Sequence, residues 1–288
     1  MKSNISSAIL LAASCGVAHA LETRLLSYNI RWAVDIPGVN ELPWSLRRPM
    51  LVSQLQRETT DRANSLLCFQ EAIASQVTDI QGGLGDAWTY FGVGRDDGAD
   101  GGEFSPIFYR PDSWLLQESA TYWLSQTPEV VGSVGWDAAL PRIVTVARFL
   151  AADSREPLVF MCTHFDHRGQ QARENSAQLI IDIADEWGSL GDPVFVGGDF
   201  NSDPQNPAYQ ILSSGLNDVR DVVPDDLQSG PLMTYTAFTD NRCDDTQIDH
   251  LFVRHPAGLE WNGFSTLENQ LNGSFISDHR AVVLDVSI

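Results

Sequence analysis

Six short polar motifs, each attached to an apolar run, constrain this chain more than any other feature. They are Ser27-Tyr28-Asn29-Ile30, Phe69-Gln70-Glu71, Thr163-His164-Phe165-Asp166-His167, Gly198-Asp199-Phe200-Asn201, Ile248-Asp249-His250 and Ser277-Asp278-His279. Runs such as Leu158-Val159-Phe160-Met161-Cys162 and Pro193-Val194-Phe195-Val196 are short and rich in β-branched or aromatic residues, so they read as buried strands. One such motif could be a strand running into a turn, because Asp and Asn favour turns and caps. Six of them, spread over the whole chain, predict strand ends meeting in one crevice rich in Asn, Asp, Glu and His. Side chains of that kind hold a hard cation and activate water.

The N-terminus reads as a secretory leader: Lys2, the apolar stretch Ile9-Leu10-Leu11-Ala12-Ala13, and the small-residue site Ala18-His19-Ala20. Residues 1–20 are therefore expected to be a signal peptide and 21–288 a single domain, since no repeat, low-complexity tract or linker divides them. Strands are predicted near 23–30, 65–70, 104–110, 113–124, 143–150, 157–164, 193–198, 248–254 and 281–287, with a helix near 45–60. A second helix is predicted between 164 and 193, where Ala172, Leu179, Ile180, Ile183, Ala184 and Trp187 recur at helical spacing. Two packed sheets flanked by helices is the economical architecture.

The formal net charge of −20 argues against passive binding to polyanions, which relies on Lys and Arg. It leaves a nucleic-acid substrate open, because a bound divalent cation can supply positive charge locally. Outside the leader, which contains Cys15, three cysteines remain. Cys68 and Cys162 fall in strand candidates and are expected to be free, buried, small hydrophobes, with Cys243 in a loop. The Gly92–Glu103 segment is glycine-rich but lacks the Lys-Ser/Thr ending and following helix of a phosphate loop.

In their order along the chain, the six motifs resemble the endonuclease/exonuclease/phosphatase superfamily, the fold of DNase I. Gly94-Arg95-Asp96-Asp97-Gly98, Trp123-Leu124-Ser125-Gln126-Thr127-Pro128, Gly135-Trp136-Asp137-Ala138-Ala139-Leu140-Pro141-Arg142 and His164-Phe165-Asp166-His167-Arg168-Gly169 further resemble a secreted microbial branch of it. The resemblance implies an α/β fold, a four-layer sandwich of two packed mixed β-sheets flanked by helices. It implies that Glu71 binds a divalent metal, that Asn29 beside it helps orient the metal shell, and that Asp278 orients His279 or contributes to that shell. By the same resemblance Asp199 orients or deprotonates the attacking water, Asn201 positions it, Asp249 holds a partner in place, and His164 and His279 donate to phosphoryl oxygens. Mg²⁺ suits a site of few carboxylates, and Mn²⁺ can substitute.

Arg95, Arg142, Asp166, His167, Arg168 and Trp136 are candidates for substrate contact. An Arg fork grips phosphate, and an aromatic wall meets a sugar or base. The expected protein is a secreted, extracellular, monomeric phosphoester hydrolase that does not insert into membranes. Its expected substrate is a phosphorylated small molecule, phosphorylated glycan or nucleic acid. Two alternatives stand beside it. One is a zinc hydrolase built on Cys162, His164, Asp166 and His167, because zinc accepts Cys and His. The other is a catalytically silent binding module on the same fold.

Overall fold

Strand β1 (Glu22–Asn29) is buried on both faces after its first residue, and that double burial sets the layout of the molecule. Leu25 packs inward between two sheets, whereas its neighbour Leu26 faces a helix. A strand covered on both sides needs near-continuous apolar sequence rather than strict alternation. The computed structural model describes residues 21–241, 245–255 and 257–288. The leader, Cys15 and Cys243 lie outside the described residues.

The elements follow in order: α1 (Trp44–Thr59), β2 (Ser65–Gln70), β3 (Ala72–Ile73), α2 (Ala74–Leu84), β4 (Thr89–Phe91), β5 (Glu103–Phe104), β6 (Ile107–Tyr109) and β7 (Trp114–Trp123). Then come β8 (Ile143–Ala151), β9 (Pro157–His164), α3 (Gln170–Trp187), β10 (Val194–Asp199), α4 (Pro207–Gly215), β11 (Asn217–Asp218) and α5 (Val219–Val222). The chain finishes with β12 (Gln228–Ser229), β13 (Asp249–Arg254), β14 (Glu260–Thr266), β15 (Gln270–Leu271), β16 (Ser274–Phe275) and β17 (Val282–Ser287). One sheet has the order β12-β14-β17-β1-β2-β6-β4 and the other β11-β13-β10-β9-β8-β7.

The sheets pack face to face around Leu25, Leu66, Phe160, Phe195, Leu251 and Leu284. Leu51, Leu55, Val77 and Ile80 of α1 and α2 cover the first sheet. Ile180, Ala184 and Leu212 of α3 and α4 cover the second. Each sheet is mixed, and the expected four-layer α/β sandwich is the fold observed.

Each sheet contains one parallel pair that matters for the site. β1 runs parallel to β2 with Asn29 opposite Gln70, and β9 runs parallel to β10 with His164 opposite Asp199. Parallel neighbours end at the same rim, so four motif residues are delivered together. Glycine permits the close approach behind that rim. A Cβ on Gly198 would stand 2.5 Å from the Thr163 carbonyl oxygen, and one on Gly197 would press on Ser27 of the opposite sheet at 3.1 Å.

Three features depart from expectation. The strand near 104–110 is split into β5 and β6 on either side of Pro106. β14 carries an irregularity between Trp261 and Gly263 that breaks its alternation, and α2 contains Gly82 and Gly83, so neither stood out in the sequence. Cys68 and Cys162 are not free thiols. They form a disulfide between β2 and β9, with Cα atoms 5.4 Å apart, and both are fully buried in the inter-sheet core. Sequence spacing could not reveal this, because the two residues are 94 positions apart and meet only when the sheets stack.

A bridge closing so long a loop restricts the unfolded chain, by about 4–5 kcal/mol in the chain-entropy model. Replacing both cysteines with alanine is expected to lower stability by roughly 2–5 kcal/mol. A non-reducing peptide map is expected to recover the Cys68–Cys162 cross-link. Recovery of both thiols unmodified, with no change in denaturation midpoint for the double variant, would refute it.

Candidate active site

The centre of the rim is a single side-chain amide. Asn29 Nδ2 donates to Glu71 Oε1 at 3.0 Å and to Asp199 Oδ2 at 2.9 Å, and so joins a carboxylate behind β2 to one at the end of β10. Its own Oδ1 accepts from the Arg31 amide at 3.0 Å. Glu71 Oε2 accepts from the Trp32 amide at 3.1 Å, with Arg31 Nη1 at 3.8 Å. Asn201 donates from its amide to Asp199 Oδ1 at 2.9 Å and points Nδ2 at His164 Nε2 (3.1 Å) and the Phe165 carbonyl (3.0 Å). Glu71 (φ 63°), Asn201 (φ 46°) and Arg31 (φ 58°) are all left-handed, a strained conformation for residues with a Cβ.

The two histidines differ in charge. His279 Nδ1 lies 2.8 Å from Asp249 Oδ2, and its Nε2 lies 3.7 Å from Asp199 Oδ2. Burial pulls its pKa down, but Asp249 and then Asp199 outweigh burial and lift it to about 10. Asp249 is therefore the group that holds His279, as implied; Asp278 is not its partner. His164 goes the other way. Burial, followed by the nearby Arg142 guanidinium, drops it to about 3. His164 is thus neutral. Its Nε2 lies 3.1 Å from Asn201 Nδ2 and 3.4 Å from Asp199 Oδ2, and its Nδ1 faces Glu103 Oε2 at 3.6 Å. Burial raises the pKa of Asp199, although His164 and His279 oppose it. Burial and the charge of Glu71 also raise Asp278, to about 6, against the pull of His279.

These shifts describe a cavity with excess negative charge. Ligand atoms of Glu71, His164 and Asp199 lie within 4.8 Å of one another, as do those of Asp199, Asp249 and His279. Carboxylates crowded in a buried site, with Asp199 and Asp278 pushed up while Glu71 is lowered, against burial and Glu103, by His164, His279 and the Asn29 bond, fit a divalent cation whose charge would relieve them. Glu71 and Asp278 offer hard oxygen donors that line the cavity.

The cavity has a volume of about 670 Å³, and its wall includes Glu71, His164, Asp199, Asn201, Asp278 and His279. Arg95, Arg142 and His167 also line it; Asp166, Arg168 and Trp136 do not. Asp166 is buried and accepts from the amides of Ala139, Arg168 and Gly169, with Arg142 Nε at 3.5 Å, so it shapes the loop rather than meeting a ligand. Cys162 is locked in the disulfide and cannot ligate a metal. The zinc reading on Cys162, His164, Asp166 and His167 therefore loses two of its four groups.

Three participants were missed. Glu103 pairs with Arg95 through 2.6 and 2.9 Å bonds and reaches His164; a lone Glu in a glycine-rich loop gives no signal. It arrives because β5 pairs with β3, directly after Glu71. Trp32 lines the cavity from the loop after β1. Arg47 of α1 is 1% exposed and donates to the carbonyls of Ile30, Arg31, Trp32, Leu42 and Ile276. It pins both segments that flank Asn29 and Asp278.

Residues 26–279 match the Endonuclease/Exonuclease/phosphatase family. The chain belongs to this family. An endonuclease/exonuclease/phosphatase protein of Bacteroides vulgatus superposes with a TM-score of 0.83 at 29% identity, spanning 93% of this chain and 99% of that one. A mannosyl-6-phosphatase of Bacteroides thetaiotaomicron superposes with a TM-score of 0.79 at 30% identity, spanning 92% and 99%. The human Nocturnin catalytic domain, at 19% identity and a TM-score of 0.70 over 93% and 96%, shares the fold. No curated protein sequence matches significantly. The chain is a phosphoester hydrolase of this family, whose enzymes use divalent metals. Among the described residues, no helix is long and apolar enough to cross a membrane.

Two measurements test the site. In EDTA, Asp249→Asn is expected to lower the His279 pKa from about 10, read by NMR of the imidazole, because burial is then opposed by Asp199 and Asp278 without the contact charge of Asp249. Since the folded pKa is the raised one, the stability that wild-type His279 contributes is complete below 6.5 and lost as pH rises towards about 10; in the variant that loss is smaller. Arg47→Met is expected to cost on the order of 2–4 kcal/mol, by leaving buried carbonyls without donors. An unchanged melting temperature would show that the five carbonyls find other partners.

Proposed function

We propose that this protein is a secreted, Mg²⁺-dependent phosphoester hydrolase acting on a small or terminal phosphate by in-line attack of water. The observation that carries the reading is the union, in one cavity, of a metal-competent carboxylate (Glu71), a buried carboxylate of raised pKa (Asp199) and a protonated histidine (His279). A bound Mg²⁺ would supply charge for the phosphoryl oxygens and polarise the ester, held by Glu71 with Asp278 beside it.

The remaining roles belong to side chains. Asp199, held by Asn29 and by the Asn201 amide, accepts the proton of the attacking water; a raised pKa makes it a better base. His279 donates to a phosphoryl oxygen, kept cationic by Asp249. Asn201 Nδ2 orients the phosphate from the side of His164. His164 is neutral in the free enzyme, and an arriving phosphate anion raises its pKa, so charge and donor capacity develop there with the substrate.

Support for a small or terminal phosphate comes from the basic residues. Arg31, Arg95 and Arg142 line the cavity, yet each faces a carboxylate: Glu41, Glu103 and Asp166 respectively. Among the described residues, that leaves no free cationic stripe along the cavity wall for a polynucleotide backbone. The cavity volume suits a ligand of sugar-phosphate size, and the Bacteroides neighbour is described as a mannosyl-6-phosphatase. Secretion is supported by the leader-like N-terminus and by the buried disulfide, a bond rare in reducing compartments.

The test is hydrolysis of p-nitrophenyl phosphate, bis-(p-nitrophenyl) phosphate and plasmid DNA with Mg²⁺, Mn²⁺, Zn²⁺ or EDTA. Monoester cleavage with Mg²⁺, abolished by EDTA and lowered about 10²–10⁴-fold by Asp199→Asn, is expected. Cleavage of DNA alone would replace the terminal-phosphate reading with a nuclease. Activity with Zn²⁺ alone would overturn the metal, and inactivity under every metal would favour the silent module.

A further inference from the structure

Of the eight tryptophans, Trp32 is the most exposed, at 41% of its surface, and it stands on the wall of the catalytic cavity. An exposed indole on a loose loop would carry little meaning. The backbone here is held on every side. The Trp32 amide donates to Glu71 Oε2 at 3.1 Å, and its carbonyl accepts from Arg47 Nη2 at 3.2 Å. The Arg31 carbonyl is bonded by Arg47 and by Gln76, and Gln76 Oε1 takes the Ala33 amide at 3.0 Å. The fold thus fixes the backbone that carries a large, partly exposed apolar ring, at the residue whose amide contacts the metal-competent carboxylate. Exposing an indole loses burial energy, and a rigid platform is what ligand binding needs.

We propose that Trp32 is the platform for the ring of the group bearing the phosphate, and that this ring is a sugar. The proposal rests on the reading that phosphate is held between His164, Asn201 and His279. The cavity wall that Trp32 shares also includes Ile73, Tyr235, Thr246, Ile248 and Asp278, and the adjacent Arg31 is committed to Glu41 at 3.1 Å. Among the described residues, that wall carries no arginine without a carboxylate partner for a second phosphate. It offers an apolar face together with hydroxyls and a carboxylate acceptor. A pyranose matches both: its C–H face lies against the negative face of an indole, and its hydroxyls donate to carboxylate oxygen.

The experiment compares wild type, Trp32→Ala and Trp32→Phe with Mg²⁺ on mannose 6-phosphate, which carries a ring, and on glycerol 3-phosphate, which does not. Trp32→Ala is expected to raise KM about tenfold or more for mannose 6-phosphate with kcat within about twofold, and to leave glycerol 3-phosphate unchanged; Trp32→Phe restores most of the loss. Equal losses on both substrates would mean a structural role and overturn the proposal. Binding is read separately, without turnover, as fluorescence quenching in Asp199→Asn with and without Trp32→Phe. Quenching of Trp32 by mannose 6-phosphate is expected. Quenching by thymidine 5′-phosphate but not by mannose 6-phosphate would overturn the sugar assignment. If wild type hydrolyses neither monoester yet mannose 6-phosphate quenches Trp32, the hydrolase reading fails and the platform stands. Absence of both overturns both.

Discussion

The structure turns on one amide placed between two acids. Asn29 Nδ2 sits 3.0 Å from Glu71 and 2.9 Å from Asp199, and these carboxylates come from opposite sheets. Two buried negative charges repel, and a neutral amide with two N–H donors can hold them together without cancelling the charge. The residual negative field is what a divalent cation would enter. The same field, through Asp199 and Asp249, keeps His279 protonated a few ångströms from neutral His164. Opposite protonation of two histidines in one cavity follows from which neighbours each one has.

Holding such a site open requires rigidity from beneath. The disulfide joins β2 to β9 just before Glu71 and His164, so the two strands cannot separate where their motifs diverge. Gln70 lies over it, with Nε2 2.9 Å from Cys68 Sγ. Arg47 does the equivalent at the loop after β1 by gathering carbonyls from two flanking segments. Left-handed Glu71, Asn201 and Arg31 are affordable only inside such a frame, since each would relax if its bonding partners were free to move.

Much of this was legible in the sequence, for a local reason. A motif such as Gly198-Asp199-Phe200-Asn201 combines a strand end, a turn preference and reactive side chains within four residues. The positions of β1, β2, β8, β9, β10, β13 and β17 follow from buried apolar runs. Glu103, Arg47 and Trp32 escaped because nothing adjacent to them marks a site. Glu103 depends on the β3–β5 pairing, and Arg47 depends on a helix docking beside two loops. Asp166, Arg168 and Trp136 were over-read for the opposite reason. For Asp166 and Arg168, the preceding His164 lies at the strand end, but the loop then turns inward, and Asp166 is engaged by its amides. The same distance effect hides the cap of α3, where Asp137 from a remote loop accepts from the Ala172 amide at 2.6 Å.

The sequence by itself determined the layered α/β architecture, the family and the residues Asn29, Glu71, His164, Asp199, Asn201, Asp249, Asp278 and His279, because short-range patterning encodes strands and the turns that follow them. Tertiary structure alone decided that Asp249 rather than Asp278 holds His279, that His164 is neutral, that Cys68 and Cys162 are bonded, and that Trp32 faces the cavity. Each of these depends on distances between segments far apart in the chain. Charge, bonding and exposure fall off over a few ångströms in space and carry no trace along the sequence.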